Sequence, residues 1–129
     1  MVDLPLFSLL EVGMSYVDGF VLPMPTKNLA AYRKIARKAG KIWREHGALQ
    51  YFECVADDIS EVPLALFAKS VKRKEGETVV FSFIVYASKA DRNRINKLVM
   101  NDPRLADQKT MPFDMKRMMY GGFKPIVSM

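Results

Sequence analysis

The sequence predicts an α+β fold of ferredoxin-like type: a four-stranded antiparallel sheet in βαββαβ order with two helices on one face. Segments of period two and of period 3.6 follow one another as strand, helix, strand, strand, helix, strand. The 129 residues suffice for one sizeable core and are too few for two ordinary ones. The strongest strand is apolar on both faces, so the side of the sheet away from the helices also needs a cover.

Met1 to Gly13 are mostly apolar, carry Asp3 and Glu11 but no base, and lack the basic start of a signal peptide. They are read as an N-terminal extension, either disordered or an added helix or edge strand, ahead of a domain spanning residues 14–129. From Tyr16 to Leu22, Tyr16, Asp18, Phe20 and Leu22 alternate with Val17, Gly19 and Val21, which predicts a strand stopped by Pro23 and Pro25. Thr26 is a favourable N-cap and Gly47 a stop, so a helix of about five turns fills the interval. Its apolar side carries Leu29, Tyr32, Ile35, Ala36, Ala39, Ile42, Trp43 and His46.

Ala48 to Ala56 alternates Leu49, Tyr51, Glu53 and Val55 against Gln50, Phe52, Cys54 and Ala56, a second strand closed by Asp57 and Asp58. Ile59 to Lys74 mixes Leu64, Leu66 and Phe67 with Lys69, Lys72, Arg73 and Lys74 and reads as a loop with a short helical or edge piece. Glu75-Gly76-Glu77 turns the chain into the strand Thr78 to Tyr86. There Val79, Phe81, Phe83 and Val85 face one way and Val80, Ser82, Ile84 and Tyr86 the other. Ser88 with Asp91 resembles a capping box and opens a helix with Ile95, Leu98 and Val99 as its buried stripe, ending near Asn101. Asp102-Pro103 supplies a cap and first position for a short turn through Leu105. Arg117 to Val127 is a fourth strand whose Gly121 and Gly122 mark a bulge or the close approach of another backbone.

Because an apolar sheet face of this size would drive aggregation of a monomer, two copies are expected to meet across a two-fold axis as a homodimer. One Cys excludes an intrachain disulfide, and one Cys with one His argues against a zinc site within one chain. The lone thiol fits a reducing compartment, and no stretch approaches the roughly 18 apolar residues of a membrane helix. A soluble cytoplasmic protein with no membrane partner is the expectation.

The formal charge is +6, and it is gathered in one place. Between Thr26 and His46 lie Lys27, Arg33, Lys34, Arg37, Lys38, Lys41 and Arg44 against Glu45 alone, while the rest of the chain is balanced. The seven bases fall on the helix face opposite the apolar one. Such a row is either a solvated face or a surface for nucleic acid or an acidic partner, carried by Lys34, Arg37, Lys38, Lys41 and Arg44. Against RNA, the aromatic and basic residues are not interleaved on one surface, and a sheet used for dimerisation is closed to bases.

Three side chains are candidates for chemistry. His46, the lone His, lies on the apolar arc beside Trp43 and would act as an acid or base on a ligand held between helix and sheet. Its alternative role is to bond a free carbonyl at the helix C-terminus. Asp18 and Glu53, on strands expected to be neighbours, each interrupt an apolar face, where a carboxyl has a raised pKa unless paired. The alternative for them is an edge position or pairing with Arg117 or Lys124. With His46 they could bind one divalent metal, but three single ligands scattered along a chain are weak evidence, so no metal and no cofactor is expected. Trp43, Tyr16, Tyr51 and Tyr120 would line an aromatic cavity, or else pack in the core. Cys54, with no basic neighbour in sequence, reads as a buried small hydrophobe. No phosphate-binding loop, dinucleotide fingerprint or nucleophile elbow is present.

Several strings are long enough to be specific: Tyr16-Val-Asp-Gly-Phe-Val-Leu-Pro23, Ala39-Gly-Lys-Ile-Trp-Arg-Glu-His-Gly-Ala-Leu49, Glu53-Cys-Val-Ala-Asp-Asp58 and Glu77-Thr-Val-Val-Phe-Ser-Phe-Ile-Val-Tyr86. Asp102-Pro-Arg-Leu105, Met111-Pro-Phe-Asp114 and Lys116-Arg-Met-Met-Tyr-Gly-Gly-Phe123 join them. Over roughly Ser15 to Val127 the chain closely resembles the bacterial YbaA-like proteins, domain of unknown function 1428. It departs from their pattern at Phe67-Ala68, where Phe-Pro is usual. The resemblance implies the dimeric α+β barrel superfamily, which includes cofactor-independent monooxygenases, chlorite dismutase relatives and many members without established activity. The expected function is binding of a small apolar or aromatic metabolite, with oxygenation or isomerisation as the reaction that fold analogy implies.

Overall fold

Residues whose side chains alternate without a polar face belong at the centre of a sheet, and that is where the ten-residue strand Glu77–Tyr86 lies. The computed structural model describes residues 15–59, 66–106, 108 and 110–129. Its elements are β1 (Tyr16–Pro25), α1 (Leu29–Glu45), β2 (Gln50–Val55), α2 (Leu66–Ser70), β3 (Glu77–Tyr86), α3 (Lys89–Met100) and β4 (Met119–Phe123). The four strands form one antiparallel sheet in the order β2-β3-β1-β4. This is the ferredoxin-like arrangement that the element order predicts. The expected N-terminal extension, Met1 to Gly13, and Leu64 lie outside the described residues.

Two core clusters join the helices to one face of the sheet. Ile42 and Ala48 pack with Ile84, Tyr86, Ile95 and Val99. Leu22 and Met24 pack with Tyr32, Ala36 and Val80. The opposite face is apolar and bare: Phe52, Phe81 and Phe123 are 48%, 43% and 62% exposed, and the Phe52 ring stacks on Phe83 at 4.9 Å. Among the described residues no helix is long and apolar enough to cross a membrane.

Several local expectations need correction. The strands carrying Asp18 and Glu53 are not neighbours: Asp18 pairs across to Ile84 and Glu53 to Ser82, with β3 lying between. A split βαβ unit leaves a gap between its two strands, and β3 fills it. Pro23 does not stop β1, which runs on to end at Pro25, because beyond Val21 the strand has β3 alone as a neighbour and its free side can lack donors. Thr26 does not cap the helix: Thr26–Asn28 form a 3-10 turn with no side-chain cap. The Thr26 N–H donates to the Gly76 carbonyl at 2.9 Å, and the Asn28 amide donates to the Pro112 carbonyl at 3.0 Å. Gly47, at φ 121°, does close α1.

Ser88 accepts from the Asp91 N–H at 3.0 Å and Asp102 from the Arg104 N–H at 2.9 Å, so both predicted caps form. Leu98 is 42% exposed, leaving Ile95 and Val99 as the buried stripe of α3. β4 is shorter than predicted and has no bulge. A Cβ on Gly122 would collide with the side chains of Tyr16 and Arg92, so the close approach is made by side chains rather than by another backbone. Cys54 is exposed because β2 is an edge strand and Cys54 points away from the helices.

Candidate functional site

On β2, Tyr51 and Glu53 are two residues apart and so share the face that meets α1. Tyr32, on the buried stripe of α1, points at the same spot. The Tyr32 hydroxyl donates to Glu53 Oε1 and the Tyr51 hydroxyl to Glu53 Oε2, both at 2.7 Å. Burial pushes the Glu53 carboxyl pKa up, outweighing the hydrogen bonds from Tyr51, Tyr32 and Ser82 that pull it down. The same burial, reinforced by the Glu53 charge, pushes both tyrosine hydroxyls up.

This trio separates two hollows and lines both. The inner one, about 160 Å³, lies between α1 and the sheet, with Phe20, Trp43, Ile84 and Phe113 among its walls. The outer one is an open groove of about 620 Å³ between α1 and β2, floored by Leu29, Ala36, Gly40 and Val80. Among the described residues, Glu53 is the sole carboxyl in either lining. Arg33, Arg37, Lys41 and Arg44 form the α1 side of the groove's mouth. The basic and aromatic residues are therefore not on opposite sides throughout, as the helix alone implied: β2 brings Tyr51 under the edge of the basic row. Lys34 and Lys38 stay with the outward surface of α1.

Asp18 is elsewhere. It is 1% exposed, with Arg92 Nε 3.2 Å from its Oδ1 but off line for a hydrogen bond, so both atoms lack one. Burial pushes its pKa up more than Arg92, Tyr86 and Asn96 pull it down. The expected partner Arg117 instead holds Glu77 at 2.7 and 2.8 Å and Asp114 at 2.9 Å. Tyr16 accepts from Arg92 at 3.2 Å and carries its guanidinium 4.9 Å from the ring centre. Tyr120 stacks on Phe20 at 5.0 Å and is 52% exposed. Neither tyrosine lines the two hollows: Tyr16 sits with Arg92, and from β1 it is Phe20 and Leu22 that reach the inner one.

His46 also lies apart from the hollows. It ends α1, and its Nε2 donates to Asp102 Oδ2 at 2.8 Å, not to a helix carbonyl. Hydrogen bonds from Arg104 first, and then from His46, hold the Asp102 pKa well below the usual carboxylate range. His46 thus belongs to an outward ion cluster with Asp102, Arg104 and Glu45. Trp43 lines the inner hollow and donates to the Tyr86 hydroxyl at 3.1 Å. No group of three or more potential metal ligands occurs among the described residues.

Tyr32 and Gly40 were not singled out by sequence. A Gly in mid-helix costs about 1 kcal/mol relative to Ala, which was a signal that something packs close there. Tyr32 gave none, since a Tyr at that position on an amphipathic helix reads as core.

A family model described as "Protein of unknown function (DUF1428)" matches residues 15–115. The "Uncharacterized protein YbaA" of Escherichia coli K12 is 46% identical over 115 residues, 88% of this chain and 98% of the relative. That of Shigella flexneri matches with the same identity and coverage. Among solved structures, a nipsnap family protein with unknown function from Agrobacterium tumefaciens superposes with a TM-score of 0.55. The identity is 16%, over 88% of this chain and 89% of that one, so the likeness concerns the fold.

Proposed function

This chain belongs to the DUF1428 family, and within it we propose that the protein binds a small apolar or aromatic metabolite between α1 and the sheet and isomerises it by moving one proton. The observation that carries this is Glu53: among the described residues the sole carboxyl lining two adjoining hollows, held by two tyrosine hydroxyls at 2.7 Å and raised in pKa by burial. A carboxyl of that kind takes a proton from a carbon or hydroxyl acid at one position and returns it at another, leaving the composition of the ligand unchanged. Tyr32 and Tyr51 hold its oxygens in place and supply the hydrogen bonds that steady the ionised form. Glu53 takes the acid–base role that the sequence offered jointly to His46, Asp18 and Glu53.

The protein works, in this proposal, as a cytoplasmic homodimer joined through the bare sheet face. Exposed Phe52, Phe81 and Phe123 on one side of a sheet support self-association, and the accessible lone thiol of Cys54 suits a reducing compartment. The test is a thermal-shift screen of aromatic and alicyclic metabolites on wild type and Glu53→Gln, followed by NMR detection of deuterium exchange into any ligand that binds. Binding by both proteins with exchange in wild type alone is the expected result. Exchange at the same rate in Glu53→Gln would remove Glu53 from the chemistry.

A further inference from the structure

The floor of the outer groove suits an uncharged ring, but its mouth has another chemistry. Arg33, Arg37, Lys41 and Arg44 recur every three or four residues along α1, so they stand in one row on the flank facing β2. The row rises about 16 Å along the helix. All four are exposed, and among the described residues none has an ion-pair partner. Among the other guanidinium groups, Arg73 is likewise without an ion pair, whereas Arg92 is committed to Asp18, Arg94 to Asp91, Arg104 to Glu45 and Asp102, and Arg117 to Glu77 and Asp114. Glu53 does not answer the row, since its oxygens are taken by Tyr32 and Tyr51.

We infer that the ligand is an organic oxyanion, with an apolar body on the groove floor and a carboxylate or phosphate held at the mouth by Arg33, Arg37, Lys41 and Arg44. This rests on the small-molecule reading above and names its substrate class. A guanidinium offers five donors in a fork that matches either oxyanion, and three of them beside an apolar floor are unused recognition capacity. With the anion at the mouth, the body of the ligand runs inward toward Glu53. A nucleic acid strand is the poorer fit: Tyr32 is 7% exposed and Tyr51 half-buried, so neither ring offers an open platform for successive bases.

Calorimetric titration of the full chain with 2-naphthoate, 2-naphthyl phosphate and neutral 2-naphthylmethanol tests this, and the first two distinguish carboxylate from phosphate. The anions should bind about tenfold or more tighter than the alcohol. The double reversal Arg33→Glu with Arg37→Glu should abolish that preference and leave alcohol binding within about twofold. Lys34→Glu with Lys38→Glu, an equal change of charge on the outward surface, should shift anion binding less than about threefold. Equal affinity for anions and alcohol would overturn the oxyanion inference while the cavity reading stood. Binding of none of the three would overturn both. Tight, steeply salt-dependent binding of an oligoribonucleotide, lost equally in both double reversals, would overturn it in favour of nucleic acid.

Discussion

Gly40 of α1 lies flat against the ring of Tyr51 on β2: a Cβ at Gly40 would fall 2.6 Å from Tyr51 Cδ1. The helix therefore comes close to the edge strand at the point where Tyr51 reaches Glu53, and a hydrogen in place of a methyl sets the position of the ring. Gly40→Ala gains about 1 kcal/mol of helix propensity but forces an overpacked contact costing roughly 1–3 kcal/mol. Urea denaturation should show a net loss, and naphthoate affinity should fall with the displaced ring. A variant as stable as wild type would mean that Tyr51 moves aside freely.

Glu53 should make stability depend on pH in a recognisable direction. Its folded pKa is raised above the unfolded value of about 4.3, so its contribution is most favourable below that value. The contribution is lost as pH rises through the folded pKa. Glu53→Gln cannot titrate. In melting curves, the stability of wild type relative to Glu53→Gln should decline between pH 4 and pH 8, and parallel curves across that range would contradict the burial argument.

Removing Arg92 should be costly in neutral solution. Arg92→Met leaves Asp18, 1% exposed, as a buried carboxylate without its cation, which costs about 3–5 kcal/mol. Acid recovers part of this, since Asp18, already raised in pKa, then folds protonated. The double change Asp18→Asn with Arg92→Met should restore much of the loss at pH 7. A deficit under about 1 kcal/mol for Arg92→Met in urea at pH 7 would show that the pair contributes little.

Glu77 has the opposite sign. Hydrogen bonds from Arg117 hold its pKa down at about 2, so its stabilisation is present above the unfolded value and lost as pH falls toward about 2. Arg117→Met should flatten the acid limb of the stability curve between pH 4 and pH 2. An unchanged acid limb would assign acid sensitivity to other carboxylates.

The bare sheet face makes a prediction about mass. Light scattering at about 10 µM should give twice the 14.7 kDa of one chain, and Phe81→Asp should give one. Phe81 is 43% exposed and central to the face, so the change leaves the helix-side core intact. A monomeric wild type would sink the homodimer.

How much was legible depended on whether one element or two set the outcome. The two caps, Ser88 on Asp91 and Asp102 on Arg104, were readable because each is complete within a few residues. The strand β3 was readable because its alternation is unbroken. The roles of Asp18 and Glu53 were not: alternation put each on an otherwise apolar strand face, but which strand lies between them is a matter of topology. His46 fell on the apolar arc of the helix wheel, yet at the last turn that arc runs out past the core to Asp102, which arrives from a segment 56 residues away.

By itself the sequence determined the element order, the apolar character of both sheet faces, and the gathering of positive charge on α1, because periodicity and local capping are short-range properties of the chain. The tertiary structure decided the site. Tyr32, Gly40, Tyr51 and Glu53 come from two elements whose separation and tilt are settled when α1 packs across the sheet, and only that packing turns two tyrosines and a carboxyl into one hydrogen-bonded unit beneath the basic row. Hydrogen bonds of 2.7 Å require relative positions good to a few tenths of an ångström, and no pattern along a single element carries that information.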